Sequence, residues 1–190
     1  MGAYGFIALA IPLCPTAAPR FAPFMMALAV VSILYGAVLA LRQQHFKQLV
    51  AYASLSHMGY IVLGVFTLQS AGMQGSFLQI LSHGCAVAGL FLMLGMLERR
   101  CGPAYLEQSA LSIRAPRFAV VLMLFVLASL ALPLSSGFVA EFLILLGAFS
   151  RGLANLDAGA GAGVLITASL ACAGVVLGAT YMLRFARTLL

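Results

Sequence analysis

Long apolar stretches that carry almost no charge constrain this sequence more than any other feature. The first runs from Arg20 to Arg42, and no charged side chain lies between these two arginines. A hydrocarbon layer about 30 Å thick is crossed by about 20 apolar residues of α-helix. Each stretch of this length therefore predicts a helix that spans a membrane.

Five stretches reach that length, and the shorter apolar residues 1–13 precede them. They are residues 20–42, 46–69, 75–99, 117–150 and 160–186. The fourth is too long for one span, and it contains the sequence Pro133, Leu134, Ser135, Ser136, Gly137. Because proline removes a backbone donor, we predict a discontinuous helix with its break at residues 133–137. A simple proline kink is the alternative.

Composition supports a membrane protein of all-α, polytopic class. Hydrophobic residues make up 64% of the 190 residues, charged residues 7%, and the mean hydropathy is +1.12. Soluble domains carry roughly 45–50% apolar and about 25% charged residues. These values exclude a soluble enzyme, a disordered chain and a nucleic-acid-binding domain. The net charge of +6 is spread over the chain and forms no patch.

The basic residues predict the orientation of the spans. Connections on one side contain only Arg20 and Arg151. Those on the other side contain eight basic residues: Arg42, Lys47, Arg99, Arg100, Arg114, Arg117, Arg184 and Arg187. Since cytoplasmic loops carry the excess of lysine and arginine, the side with eight is predicted to be cytoplasmic. Residues 14–19 are then outside, and the C-terminus is inside.

The sequence contains no pattern typical of a cofactor or metal site. Its cysteines stand far apart, without a CxxC motif, and are interpreted as packing thiols: Cys14, Cys85, Cys101 and Cys172. Phosphate-binding loops, dinucleotide fingerprints and catalytic triads are also missing from the sequence. We therefore expect no bound cofactor, no metal and no complete active site in this chain.

Three ionisable residues at membrane depth are the candidate functional residues. His57, His83 and Glu141 lie in three different predicted helices. Burying such groups in hydrocarbon is costly, and histidine titrates near neutrality, so together they favour a proton path. The alternative is that each histidine is only a buried core residue, whose ring forms a hydrogen bond with Ser56 or Ser82. Glu141 has no basic residue within nine positions, so a charge partner has to come from another helix.

Other polar residues in the spans permit two interpretations. Lys47 lies near a helix end, where it either extends to the lipid headgroups or faces the proton path. The tyrosines in or near spans are interpreted mainly as interface anchors, with a hydroxyl in a water chain as the second interpretation. They are Tyr35, Tyr52, Tyr60 and Tyr181.

Three segments of the sequence resemble a known family. They are residues 47–60 (KQLVAYASLSHMGY), 81–84 (LSHG) and 137–147 (GFVAEFLILLG). The chain resembles the antiporter-like membrane subunits of respiratory complex I, the NADH-quinone oxidoreductase. Among them it is similar to the subunit M type, called subunit 4 in mitochondria. Glu141 carries this distinction, because the L and N types usually have lysine in this region.

The resemblance implies a place for this chain within a longer subunit. Residues 20–190 correspond to the second five-helix, proton-conducting repeat of the family, with one discontinuous helix. Residues 1–19 correspond to the end of a preceding transmembrane helix and an outer loop. The chain is thus expected to represent the C-terminal part of such a subunit.

The resemblance also implies a function. His57 and His83 would relay protons and Glu141 would exchange them, with Lys47, Tyr52, Ser56 and Ser82 as accessory candidates. Quinone and the cofactors NADH, FMN and iron–sulfur clusters would be bound by other subunits. L-type and N-type subunits would be neighbours in a bacterial inner membrane. The alternatives are a membrane subunit of a hydrogenase or cation/proton antiporter complex, and a fragment or scaffold that does not translocate protons.

Overall fold

A computed structural model describes residues 2–101, 115–130, 132, 135–156 and 161–189. This part of the chain contains helices and no β-strand. The first helix is short and has a π-helical turn at Phe6–Ala10. In chain order the helices are α1 (Gly2–Leu13), α2 (Ala17–Arg42), α3 (Phe46–Phe66), α4 (Ser70–Cys101), α5 (Pro116–Ser129), α6 (Ser136–Ala154) and α7 (Gly161–Leu189).

Five of these helices are long and apolar enough to cross a membrane, namely α2, α3, α4, α6 and α7. The predicted all-α polytopic class is therefore confirmed. Helices α1 and α5 are apolar but shorter. The two helices α5 and α6 together occupy the fourth apolar stretch of the sequence, which was too long for one span.

The connection between α3 and α4 is shorter than the sequence predicts. We expected a turn over residues 69–75, but α4 already begins at Ser70. The Thr67 hydroxyl donates to the Gly64 carbonyl at 2.7 Å, and Leu68 has a φ of 52°, so the chain reverses within three residues. The first turn of α4 packs closely against α3, since a Cβ on Gly72 would lie 2.8 Å from the Gly64 oxygen.

The fourth apolar stretch is divided between two helices. Helix α5 ends at Ser129 and α6 begins at Ser136, so Ser136 and Gly137 belong to the first turn of α6 and not to the break, where they were predicted. Ser135 is the N-cap of α6, and its hydroxyl accepts from the Phe138 amide at 3.3 Å. Pro133, on which the predicted break depended, lies outside the described residues, as does Leu134.

Helix α3 lies at the centre of the bundle, because 13 of its 21 residues are buried. Its close approach to α2 needs a residue without a side chain, since a Cβ on Gly59 would lie 2.8 Å from the Ala29 oxygen. At its C-terminal end, Arg151 of α6 donates to the carbonyls of Phe66 and Thr67, both at 2.8 Å. A cation at these carbonyls satisfies acceptors that the helix itself leaves open.

Two apolar clusters divide the core and leave a polar layer between them. One cluster contains the first part of α3, including Leu49 and Ala53, with the second half of α4. The other contains the last part of α3, including Tyr60 and Leu63, with α6 and the first half of α7. The buried polar residues Ser56 and His57 lie between these two parts of α3. The fold therefore encloses these two polar side chains at mid-bundle depth.

Candidate functional site

A buried histidine–carboxyl pair forms the centre of the polar layer. Nδ1 of His57 on α3 lies 3.2 Å from Oε1 of Glu141 on α6. His57 is 7% exposed and Glu141 is 5% exposed. The partner of Glu141 thus comes from another helix, as the sequence required. At this distance the ring nitrogen and the carboxyl oxygen can share or exchange one proton through a hydrogen bond.

Gln79 on α4 contacts both members of this pair. Its Nε2 lies 3.4 Å from His57 Nδ1 and 3.4 Å from Glu141 Oε1. The residue is buried, with 2% exposed. Sequence reasoning missed it, although a usable signal existed: Gln79 precedes His83 by four residues, which places both on one face of α4.

His83 lies next to His57 from the neighbouring helix. The centroids of the two imidazole rings are 5.1 Å apart. The partner of His83 is Ser54, whose Oγ lies 3.0 Å from Nε2. The structure thus brings His57, His83 and Glu141, from three helices, to one place.

Ser56 and Ser82, named as partners of the histidines in the alternative interpretation, hydrogen-bond to other groups. Ser56 donates to the Ile33 carbonyl on α2 at 3.0 Å. Ser82 and Ser136 join their hydroxyls at 2.9 Å, which links α4 to the start of α6. The reason is the direction of the side chains: Ser56, although next to His57 in sequence, faces α2, and Ser54 faces His83.

Two of the four tyrosines belong to the site, and their interpretation as interface anchors was wrong. Tyr60 is 2% exposed and donates to the Ala171 carbonyl at 2.7 Å. Tyr181 is fully buried, and its hydroxyl lies 3.5 Å from His57 Nε2. Tyr35 is 60% exposed, and Tyr52 packs on the first apolar cluster without joining the site.

Two small cavities flank the His57–Glu141 pair, and both residues line each of them. Each cavity has a volume of about 10 Å³, which is about the space that one water molecule requires. The first lies toward α7 and the second toward α4. Ser56, Tyr60, Ser129 and Tyr181 are polar residues of the first. Gln79, Ser82, His83 and Ser129 are polar residues of the second, which also contacts Gly137.

Lys47 lies away from this centre. It forms an ion pair with Glu98, between the first turn of α3 and the end of α4. The two side chains are 40% and 36% exposed. Lys47 therefore neither extends freely to the headgroups nor contacts the histidines. Within the described ranges, no group of three His, Cys, Asp or Glu side chains is placed to hold a metal ion.

Comparison with known proteins gives a consistent set of similarities. Residues 1–167 match the family described as "NADH:quinone oxidoreductase/Mrp antiporter, TM". Over 185 residues the chain is 37% identical to NADH-quinone oxidoreductase subunit M of Rickettsia prowazekii (strain Madrid E). It is also 37% identical, over 184 residues, to NADH-ubiquinone oxidoreductase chain 4 of Marchantia polymorpha. The alignments cover 97% and 96% of this chain but 35% of each relative.

Two solved structures share the fold. The respiratory complex I of Thermus thermophilus with bound NADH contains a chain that matches with a TM-score of 0.86 and 36% identity. That match covers 99% of this chain and 38% of the other. The Mrp complex of Dietzia sp. DQ12-45-1b matches with a TM-score of 0.78 and 26% identity, over 90% of this chain and 30% of the other.

Proposed function

The chain belongs to the NADH:quinone oxidoreductase/Mrp antiporter membrane family, and from this membership we propose that it is a proton-translocating part of an NADH-quinone oxidoreductase subunit. One observation carries the proposal. A buried histidine–carboxyl pair, His57 and Glu141, lies between two cavities of about 10 Å³ each. Ionisable residues buried in a membrane bundle typically mark ion pathways or proton relays, and water-sized space on both sides of this pair suits such a path.

In the proposed relay, His83 and His57 carry protons from the cytoplasmic side and Glu141 hands them toward the outside. The distances support this order. The centroids of the His83 and His57 rings are 5.1 Å apart, a separation that a bridging water can span, and His57 contacts Glu141 at 3.2 Å. Ser82, which lines the cavity on the α4 side, is an accessory residue, as is Ser56 in the other cavity. Tyr52 and Lys47 have no direct part.

The proposal places the chain in a bacterial inner membrane as a multi-pass protein with its C-terminus in the cytoplasm. The excess of basic residues on one side supports that orientation. Other membrane subunits of the complex, with L-type and N-type neighbours, are the proposed partners. NADH oxidation and quinone reduction take place in other subunits, which hold FMN, the iron–sulfur clusters and the quinone.

Residues 20–190 act in this proposal as one five-helix repeat, and residues 1–19 as the end of a preceding helix and an outer loop. The second candidate is a membrane subunit of a cation/proton antiporter complex. The similarity to the Mrp complex supports this second candidate. Its sequence identity of 26% is lower than the 36% of the complex I chain. The proposed relay residues would serve either function. The two candidates are therefore distinguished by the substrate of the whole complex.

The test uses membrane vesicles of the source organism that carry Glu141→Gln or His83→Ala in the assembled complex. Each variant removes a proton-accepting group, so coupled NADH-to-quinone electron transfer is expected to fall about tenfold or more. Ser169→Ala is the control, because Ser169 is exposed on α7 and its hydroxyl bonds only to its own helix at Leu165. Wild-type electron transfer in both site variants contradicts the proposal. Loss of sodium–proton exchange without any loss of NADH oxidation would instead support the antiporter candidate.

A further inference from the structure

Gln79 is buried between the two proton-carrying groups and yet does not titrate. Its amide nitrogen carries two N–H donors, and it lies 3.4 Å from both Glu141 Oε1 and His57 Nδ1. Its carbonyl oxygen Oε1 is buried and has no hydrogen-bond partner among the described residues. Buried polar atoms nearly always have a partner, so this oxygen requires an explanation.

We propose that Gln79 is the positioning residue that joins the His57–Glu141 pair to the cavity on the α4 side, holding the pair with its N–H groups and binding a water molecule in the cavity with its carbonyl oxygen. This inference rests on the proposed function and deepens it. Gln79 lies one turn before His83 on the same face of α4, and the packing of α3 and α6 against this face brings its amide to the pair.

The donor end of the amide determines the geometry of the proton transfer. An N–H that donates to Glu141 Oε1 fixes this oxygen at the ring nitrogen with which it exchanges a proton. Once His57 Nδ1 has passed its proton to Glu141, its only in-plane lone pair can accept an N–H of Gln79, so the amide holds the ring in place between transfers. Both effects disappear when the amide is replaced by an apolar side chain.

The cavity on the α4 side offers a partner for the acceptor end of the amide. Gln79 lines this cavity together with Ser82, His83, Ser129 and Glu141. Its volume of about 10 Å³ and its polar lining suit one water, which needs two to four polar partners. A water bound to the Gln79 carbonyl gives His83 a path to Glu141 as well as to His57. The amide then connects both histidines to the same carboxyl oxygen.

The test compares two substitutions at Gln79 in the assembled complex. Gln79→Met keeps the size but removes donor and acceptor, and we expect coupled electron transfer to fall about fivefold, the factor that one lost hydrogen bond typically gives. A protonated glutamate has the shape of glutamine, with one O–H donor and one carbonyl acceptor, whereas an ionised one has acceptors only. A glutamate buried beside the Glu141 carboxyl keeps its proton to a higher pH than a free glutamate, because burial and a like charge both disfavour the ionised form. For Gln79→Glu, the activity relative to wild type at the same pH is therefore expected to rise about threefold or more from about pH 8 to about pH 6.

The titratable groups around position 79 are His57 on α3, Glu141 on α6 and His83 on α4 itself. Since these groups also respond to pH in the wild type, the activity of each variant is divided by the wild-type activity at the same pH.

Gln74→Met and Gln74→Glu are matched controls, since Gln74 is exposed on the same helix, and they are expected to keep wild-type activity at each pH. Native electrophoresis verifies assembly. The Gln79→Glu ratio decides the test even where the methionine variant fails to assemble.

Two results would overturn the inference: wild-type activity of an assembled Gln79→Met complex, or a Gln79→Glu ratio that does not change with pH. The failure of the proposed function looks different, because there Glu141→Gln itself leaves electron transfer unchanged. A loss in Glu141→Gln together with wild-type behaviour of both Gln79 variants overturns the role of Gln79 alone.

Discussion

At the scale of single residues, pairing explains how a carboxyl group lies inside an apolar bundle. Glu141 is 5% exposed, and its Oε1 has His57 Nδ1 at 3.2 Å and Gln79 Nε2 at 3.4 Å. A buried charge without partners is strongly unfavourable, whereas one that is paired and hydrogen-bonded is tolerated. Since the partners come from α3 and α4, the carboxyl is held by two helices other than its own.

The Tyr181 hydroxyl gives a prediction at this scale. It lies 3.5 Å from His57 Nε2, so Tyr181→Phe removes a polar partner from the ring nitrogen opposite Glu141. We expect coupled electron transfer to fall about twofold to fivefold, and the free energy of unfolding to fall by about 1 kcal/mol. Tyr35→Phe is the control, because Tyr35 is 60% exposed. Equal activities of the two variants would show that the Tyr181 hydroxyl has no part in the relay.

The sequence reveals ionisable site residues more readily than neutral ones. His57, His83 and Glu141 are conspicuous because charges are rare in apolar spans. Gln79 and Tyr181 are not, because a neutral polar residue in a span is also compatible with an interface or a core position. Which face of α4 or α7 is buried depends on the helices packed against it, and that information is absent from a single sequence.

At the scale of helices, a close contact between α4 and α6 places Glu141 beside Gln79. A Cβ on Gly75 would lie 2.7 Å from the Ala140 oxygen and 2.8 Å from the Ile144 nitrogen. These are backbone atoms on either side of Glu141, so they cannot move without moving the carboxyl. The glycine thus sets the separation of the two helices at the site.

Gly75→Ala is therefore predicted to impair both stability and activity. Added volume in a close-packed contact typically costs about 1–3 kcal/mol, and the shift of α6 moves Glu141 away from His57. Gly84→Ala on the same helix is the matched control, since nothing lies within 4 Å of its new methyl group. We expect the control to be neutral or slightly stabilising in thermal unfolding. A Gly75→Ala variant as stable and active as the control would contradict this account of the contact.

The positions of the spans were predicted from the sequence better than their ends. Apolar runs between charges located all five long helices, because the length of such runs follows from the thickness of a bilayer. The start of α4 at Ser70 was missed, because glycine and polar residues are as compatible with a tight helix–helix contact as with a loop. The predicted discontinuity of the fourth stretch is confirmed by the end of α5 at Ser129 and the start of α6 at Ser136. The part that Pro133 takes in it stays a prediction, because Pro133 lies outside the described residues.

At the scale of the whole molecule, the arrangement combines a polar layer with two apolar clusters and a charge asymmetry. Buried polar groups lie between the clusters, at the depth of His57. The Lys47–Glu98 ion pair lies at the end of the bundle that carries most of the basic residues, and Arg151 lies at the opposite end. The two ends thus differ in charge, as a fixed orientation in a membrane requires.

Cysteine labelling tests this orientation. In a chain whose other cysteines are replaced by alanine, Cys14 is expected to react with a membrane-impermeant maleimide added outside intact cells, because it is exposed in the connection for which we propose an outside location. A cysteine introduced by Arg187→Cys, at an exposed position near the end of α7, is expected to react only in inverted vesicles. The reverse labelling pattern would contradict the proposed orientation.

The most direct test of the central claim is the initial rate of NADH-driven proton uptake by inverted membrane vesicles that carry Glu141→Gln in the assembled complex. The substitution keeps the size of the side chain and removes its ability to exchange a proton. The account predicts that proton uptake falls about tenfold or more, while Ser169→Ala retains the wild-type rate. Wild-type proton uptake by Glu141→Gln would contradict the claim that protons pass through the His57–Glu141 pair.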